Sequence, residues 1–214
     1  MPLYIHLSPA AQKRARDWYR ENCLDYEWWD SDCDRWKEKL SQLGFTDADI
    51  KFSGFYSQGD GASFTAGVTR EFKLPEAIAI RISEATAVAK VQRRFDGLPA
   101  VVDLSHEVIF RITRDIHDRY VHPETIRAEF SATYGDDMPE DVSKMLDAWA
   151  EQLSQYLTSE ARDLSNQIYR DLEAEWDDLN SDDTVAEAIT DNEWYFDENG
   201  EFLPDRRREL QNAA

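Results

Sequence analysis

The chain has 214 residues, 42% hydrophobic and 12% aromatic, with 44 acidic against 24 basic side chains and a net charge of −20. That much apolar material excludes a disordered acidic tail and suffices for a buried core. No stretch approaches the roughly 18 apolar residues of a membrane-spanning helix, and the charge opposes direct binding to phosphate backbones.

The opening, MPLYIHLSPAAQKR, lacks the apolar run of a secretory signal, so a soluble, cytoplasmic protein is expected. Ser8 and Pro9 read as an N-cap followed by proline at the first helical position, starting a helix to about Asn22. Ser31 opens a second helix in which Trp36, Leu40 and Leu43 recur at helical spacing and Gly44 is the stop. Residues 1–46 are thus read as an N-terminal helical pair. Cys23 and Cys33 match neither a zinc spacing nor a CxxC motif and read as buried thiols.

Residues 47–135 form the expected α+β core. DIKFSGF has the period of a strand and ASFTAGV resumes it after a glycine-rich loop. Pro75 starts a helix with Ile78, Ile82, Ala85, Val88, Ala89 and Val91 inward and Arg81, Glu84, Lys90, Arg93 and Arg94 outward. HEVIFRITR alternates Val108, Phe110 and Ile112 against Glu107, Ile109 and Arg111, and ETIRAEFSA alternates Ile126, Ala128 and Phe130. They predict two antiparallel strands joined through DIHDRYVHP. No strand-helix-strand repeat marks a parallel sheet, so the expected class is α+β, a small antiparallel sheet packed by several helices.

Residues 136–214 read as an acidic helical region packed on that core, in one compact domain overall. Apolar residues keep three-four spacing from Val142 to Leu179, which as one helix would span roughly 60 Å; the TSEA segment at 158–161 is a place for the chain to turn into a helical hairpin. A short helix after Ser181 and a turn at Asn199-Gly200 follow. Residues 136–202 hold 21 acidic side chains against Lys144, Arg162 and Arg170, a net of −18. One third of the chain carries nearly the whole imbalance.

Two features bear on function. The first is SGFYSQGDGASF, with Gly54, Gly59 and Gly61 among the short polar side chains Ser53, Ser57, Gln58 and Asp60. Its GxxxxGxG pattern lacks the lysine of a phosphate loop, does not open a helix as a dinucleotide loop would, and is no hydrolase elbow. A hairpin tipped by Asp60-Gly61 is one reading. The other is a ligand or partner loop with Ser57 or Asp60 in contact, and with His106 or His122 brought to the same end of the sheet. His6 and His117 complete the histidines, and no spacing argues for a metal.

The second feature is residues 171–201, with 13 acidic side chains and no lysine or arginine. As helix this is one charge per about 3.5 Å, against a phosphate per 3.4 Å along one strand of B-DNA. A nucleic-acid-mimicking surface is the sharper reading and a solvated helix face the plainer one. Trp194, Tyr195 and Phe196 suit an aromatic anchor in that surface, or a segment folded back on the domain.

IKFSGFYSQGDGASF, HEVIFRI with RYVHPETIRAEF, LSNQIYRDLEAEWDDLNSDDTVAEAI and NEWYFDENGEF resemble, in that order over residues 49–203, a family of small acidic proteins of tailed bacteriophages labelled antitoxin-like or uncharacterised. The SGFxSQGDGAxF motif is the most specific part. The resemblance implies a phage-encoded cytoplasmic α+β protein and brings no reaction with it. The N-terminal helical pair and the Val-His-Pro at 121–123 depart from the pattern.

The expectation is a non-enzymatic phage accessory protein that binds a host or phage protein with a basic groove and inhibits a nucleic-acid-handling or defence complex, as an anti-CRISPR or other DNA mimic does. Asp171, Glu173, Glu175, Asp177, Asp178, Asp182 and Asp183 take the phosphate-like role and Trp194 the anchor. No cofactor, metal or catalytic residue is expected. The alternatives are a hydrolase or nucleotide-processing enzyme centred on Ser57–Gly61, and an antitoxin-like partner of a basic toxin. A homodimer stays open because Trp149, Leu153 and Tyr156 suit either the domain or a second copy.

Overall fold

The computed structural model describes residues 4–24, 27–99, 101–115 and 120–204. Five α-helices and one four-stranded antiparallel sheet account for most of them, the α+β class read from the alternation. The chain divides into two compact units, Cys33–Tyr169 and Met1–Asp32 with Arg170–Ala214.

In the first of these, α2 (Asp30–Gln42) supplies the buried side chains of Trp36 and Leu40 and ends where Gly44 takes φ +82°, a conformation glycine adopts without penalty. Strands β1 (Phe45–Phe52), β2 (Ala62–Val68), β3 (His106–Arg114) and β4 (Ile126–Tyr134) follow one another across the sheet in sequence order. Phe110 lies opposite Phe130 and Ile112 lies between Ala66 and Ala128, so the two-residue period sets one apolar face. The opposite face carries Lys51, Thr65, Arg111, Thr113, Arg127 and Glu129 by the same alternation. The β1–β2 register slips between Thr46 and Asp49, a bulge at which Asp47 adopts φ +52°.

Helix α3 (Glu76–Phe95) packs on the start of α4 (Glu140–Leu179) through Ile78, Val142 and Leu146, with Ile82, Met145 and Trp149 around them. The expected inward face of α3 holds only in part. Ile78 is buried and Ile82, Ala85 and Ala89 are half-buried, but Val88 and Val91 point to solvent. Arg93, expected outside, turns in to pair with Asp137. The phase is set by Ile78, Ile82, Ala85, Ala89 and Arg93, and Val88 and Val91 fall opposite them.

No turn interrupts α4 at Thr158–Ala161; it runs unbroken for 40 residues. Thr158 does not cap a new helix. Its hydroxyl donates to the Ser154 carbonyl (2.8 Å) and accepts the Ala128 N–H of β4 (2.8 Å), while Ser154 Oγ donates to the Ala128 carbonyl. Arg162 reaches the carbonyls of Ile126 and Glu124. A row of polar side chains on α4 thus satisfies the free edge of β4, where strand pairing otherwise stops.

In the other unit, the Tyr4–His6 turn, α1 (Pro9–Asn22) and α5 (Asp182–Asp191) bury Tyr4, Leu7, Ala11, Ala15, Val185, Ile189 and Phe196 together. The predicted caps form: Ser8 Oγ accepts the Ala11 N–H and Ser181 Oγ the Thr184 N–H. Beyond α5 the chain doubles back at Asn199-Gly200 and pairs Phe196 with Phe202. Trp18 stacks on Phe202 at 4.1 Å between ring centroids, with Trp194 at 5.2 Å. Gly200, at φ +88°, lies so close to the Ala11 carbonyl that no side chain fits there. Cys23 and Cys33 carry thiols, the second buried.

Candidate functional site

The acidic residues singled out from the sequence all lie in the unit built from the two ends of the described chain. On the last turns of α4, Leu172 is buried and Trp176 and Leu179 half-buried, which leaves Asp171, Glu175 and Asp178 on one flank and Glu173 and Asp177 on the other. Trp28 lies 5.5 Å from Trp176, ring to ring.

The next helix separates two aspartates that are adjacent in sequence. Asp182 accepts from Arg20 at 2.6 Å and from Arg16 at 2.9 Å, and these guanidinium groups hold its carboxyl below the usual carboxylate range. Arg20 also donates to the Asn180 carbonyl, so the cluster fastens α1 to the start of α5. Asp182 is therefore a structural carboxylate. Asp183, one residue on, is exposed and makes no ion pair among the described residues; neither do Glu173, Glu175 and Asp178.

Two residues not singled out in the sequence join them. Asp183, Glu187 and Asp191 recur at intervals of four along α5 and are all exposed, opposite the buried Val185 and Ile189. They form one stripe, with about 6 Å of rise between successive carboxylates. Like charges at i and i+4 repel by about 0.2–0.5 kcal/mol per pair, and among the described residues the stripe makes no ion pair. The four-residue interval was present in DDTVAEAITD, masked by the count of acidic residues around it.

Trp194 is half-buried against Trp18, Tyr19 and Phe202. Its ring belongs to the aromatic core, the second of the two roles open to it. Asp197 closes the last turn by accepting the N–H groups of Glu201 and Asn199, which lower its pKa.

The SGFYSQGDGASF loop is wider than a two-residue hairpin. Ser53 and Gly61 form its neck: the Ser53 N–H donates to the Gly61 carbonyl and the Gly61 N–H to Ser53 Oγ. The tip is Ser57–Asp60, where Asp60 Oδ2 accepts the Ser57 N–H at 2.7 Å and the Asp60 N–H donates to the Ser57 carbonyl. Gly54 and Gly59 take φ +109° and +91°. A Cβ on Gly59 would overlap the Tyr120 ring, and one on Gly61 would stand 2.8 Å from His122 Cα. Ser53, Gly54, Gly59, Asp60 and Gly61 are thus each accounted for by the turn. Ser57 and Gln58 are exposed at the tip, and Tyr56, at φ +69°, is 74% exposed beside them.

His122 packs beneath the loop, and its Nδ1 accepts the Glu124 N–H. His106 pairs with Tyr134 at the opposite end of β3 and does not join it. His6 is exposed on the Tyr4–His6 turn, and His117 lies outside the described residues. Among the described residues no group of three or more His, Cys, Asp or Glu is placed to hold a metal. An open depression of about 460 Å³ lies where β2 and β3 diverge after three residue pairs, lined by Thr65, Gly67, Arg111, Thr113 and Arg114 with Asp47 at its edge.

Fold and surface together define an α+β protein with an antiparallel four-stranded sheet and a carboxylate-rich surface along the end of α4 and along α5. Residues 28–182 match the model of a family described as Domain of unknown function (DUF8835), and the chain belongs to that family. No curated protein and no solved structure matches it. The matched span takes in the loop and the whole sheet and ends at Asp182, before the Asp183–Asp191 stripe.

Proposed function

We propose that this protein is a non-enzymatic binding protein whose acidic surface occupies the basic groove of a nucleic-acid-handling or defence complex, in place of the phosphates that groove otherwise meets. One observation carries the reading: residues 171–201 present 13 carboxylates without a single lysine or arginine, and Glu173, Glu175, Asp178 and Asp183 have no ion pair among the described residues. Carboxylates about 6 Å apart along α5 meet every second phosphate position of a DNA strand, at 3.4 Å each. The resemblance to tailed-phage proteins supports a phage accessory role, with the partner in the host cytoplasm. An antitoxin-like role shares these electrostatics and differs only in having a basic toxin as the partner.

The test is capture from host lysate with the wild-type chain and with a variant carrying Glu173→Gln, Glu175→Gln, Asp178→Asn and Asp183→Asn, followed by affinity measurement at rising salt. A partner lost with the variant, and bound at least tenfold more weakly at 200 than at 50 mM salt, supports the reading. A partner retained by the variant, or an affinity indifferent to salt, removes it.

A further inference from the structure

Helix α3 has two apolar faces. One, through Ile78, Ile82, Ala85 and Ala89, packs within its unit. The other runs Ala77, Ile80, Ala87, Val88, Val91 and Phe95, all exposed: Ile80 is 50%, Val88 69% and Phe95 83% open to solvent. The stripe continues into Leu98 and Val101, at 55% and 77%. Six of the protein's large exposed hydrophobic side chains therefore fall within 22 consecutive residues. Scattered exposed apolar residues need no explanation, whereas a contiguous stripe marks an interface.

We infer that this face binds the same face of a second copy, with the two α3 helices antiparallel about a twofold axis between Ala87 and Val88. Three properties select that occupant. The spacing Ala77, Ile80, Glu84, Ala87, Val91 is the three-four alternation of a helix-pair seam, and its alanines allow close approach. An axis at the centre of the stripe makes it self-complementary: Ile80 faces Phe95 of the second copy, and Ala87 faces Val88. The charges then agree. The first half of α3 holds Glu76, Arg81 and Glu84, with Arg81 bridging Glu84 and Asp141, and the second half holds the basic Lys90, Arg93 and Arg94. The antiparallel pair sets Glu84 opposite Val91 and one residue from Lys90 of the second copy, whereas a parallel pair would set the two basic second halves side by side.

The seam is about 27 Å long at 1.5 Å per residue, so the pair buries on the order of 500 Å² per copy, short of the roughly 800 Å² of a standard interface. A reversible dimer in the micromolar range is the expected product. None of the seam residues belongs to the acidic surface, so dimerisation and partner binding are separable.

Sedimentation equilibrium of the full chain over about 5–300 μM tests the inference. The wild type is expected to self-associate, Val88→Asp to weaken the dimer at least tenfold, and Lys90→Glu to weaken it by setting Glu84 against a new carboxylate. Glu84→Lys combined with Lys90→Glu restores the opposite charges and is expected to recover the dimer to within about threefold. Circular dichroism confirms that each variant keeps its helix content. A monomer throughout the range, a dimer indifferent to Val88→Asp, or a charge swap that fails to recover what Lys90→Glu loses overturns the inference.

Discussion

Replacing Gly59 by alanine isolates what the SGFYSQGDGASF motif does for the fold. Two costs are superimposed there. At φ +91° an L-residue is strained, by about 1–2 kcal/mol on the scale of the left-handed region. The new methyl also overlaps the Tyr120 ring, and forced overpacking adds about 1–3 kcal/mol. Gly97 separates the two: it has φ +69° with nothing within 4 Å of a Cβ, so Gly97→Ala carries the first cost alone. Chemical denaturation is expected to show about 1–2 kcal/mol lost for Gly97→Ala and about 2–5 kcal/mol for Gly59→Ala. In a Tyr120→Ala background the extra cost at Gly59 should vanish, a coupling of about 1–3 kcal/mol. A Gly59→Ala protein no less stable than Gly97→Ala, or a coupling near zero, would refute the packing of Tyr120 on the loop.

Three further outcomes are expected. Glu187→Gln removes both like-charge pairs from the α5 stripe and should stabilise the protein by about 0.4–1 kcal/mol at low salt, with the gain gone in 1 M salt; thermal melts at the two ionic strengths decide it. The carboxyls of Asp182, Asp137 and Asp197 have folded pKa values held down by Arg20 and Arg16, by Arg93, and by the Glu201 N–H. Their stabilisation is in place above the unfolded value near 3.9 and is lost as pH falls through the lower folded values, so Asp137→Asn should flatten the acid limb of a stability–pH curve. Tyr134, desolvated by burial and bonded to Asp147, is pushed up to about 12. The stability it contributes is complete below pH 10 and lost as pH rises toward 12, and absorbance near 295 nm should report its late ionisation, absent in Tyr134→Phe.

What the sequence made legible follows how local each feature is. Caps at Ser8 and Ser181, the stop at Gly44 and the inward sets of β3 and β4 rest on nearest neighbours and were readable. The α3 phase was not, because its six apolar residues fit one broad stripe or two opposed ones, and Arg93 turns inward only because Asp137 waits there. Thr158 reads as a cap when only its own helix is considered; the partner that redirects it, the edge of β4, lies 30 residues earlier. The acidic region was visible as a sum of charge. Its division into a structural Asp182 and an Asp183 without an ion pair among the described residues required Arg16 and Arg20, more than 160 residues from Asp182.

The unit that carries the acidic surface joins Ala15 of α1 to Val185 of α5 in one core, 170 positions apart in the chain. Closing a loop of that length costs about 4–5 kcal/mol of chain entropy. At 5–20 residues per second, α1 leaves the ribosome about 10–30 s before its partners do. In that interval Ala11 and Ala15 have only Tyr4 and Leu7 of their core to pack on, and Trp18 lacks Trp194, Phe196 and Phe202. Truncating the chain before Val185 should therefore leave the sheet complete and α1 without most of its core, a helix of 14 residues that is marginal by itself.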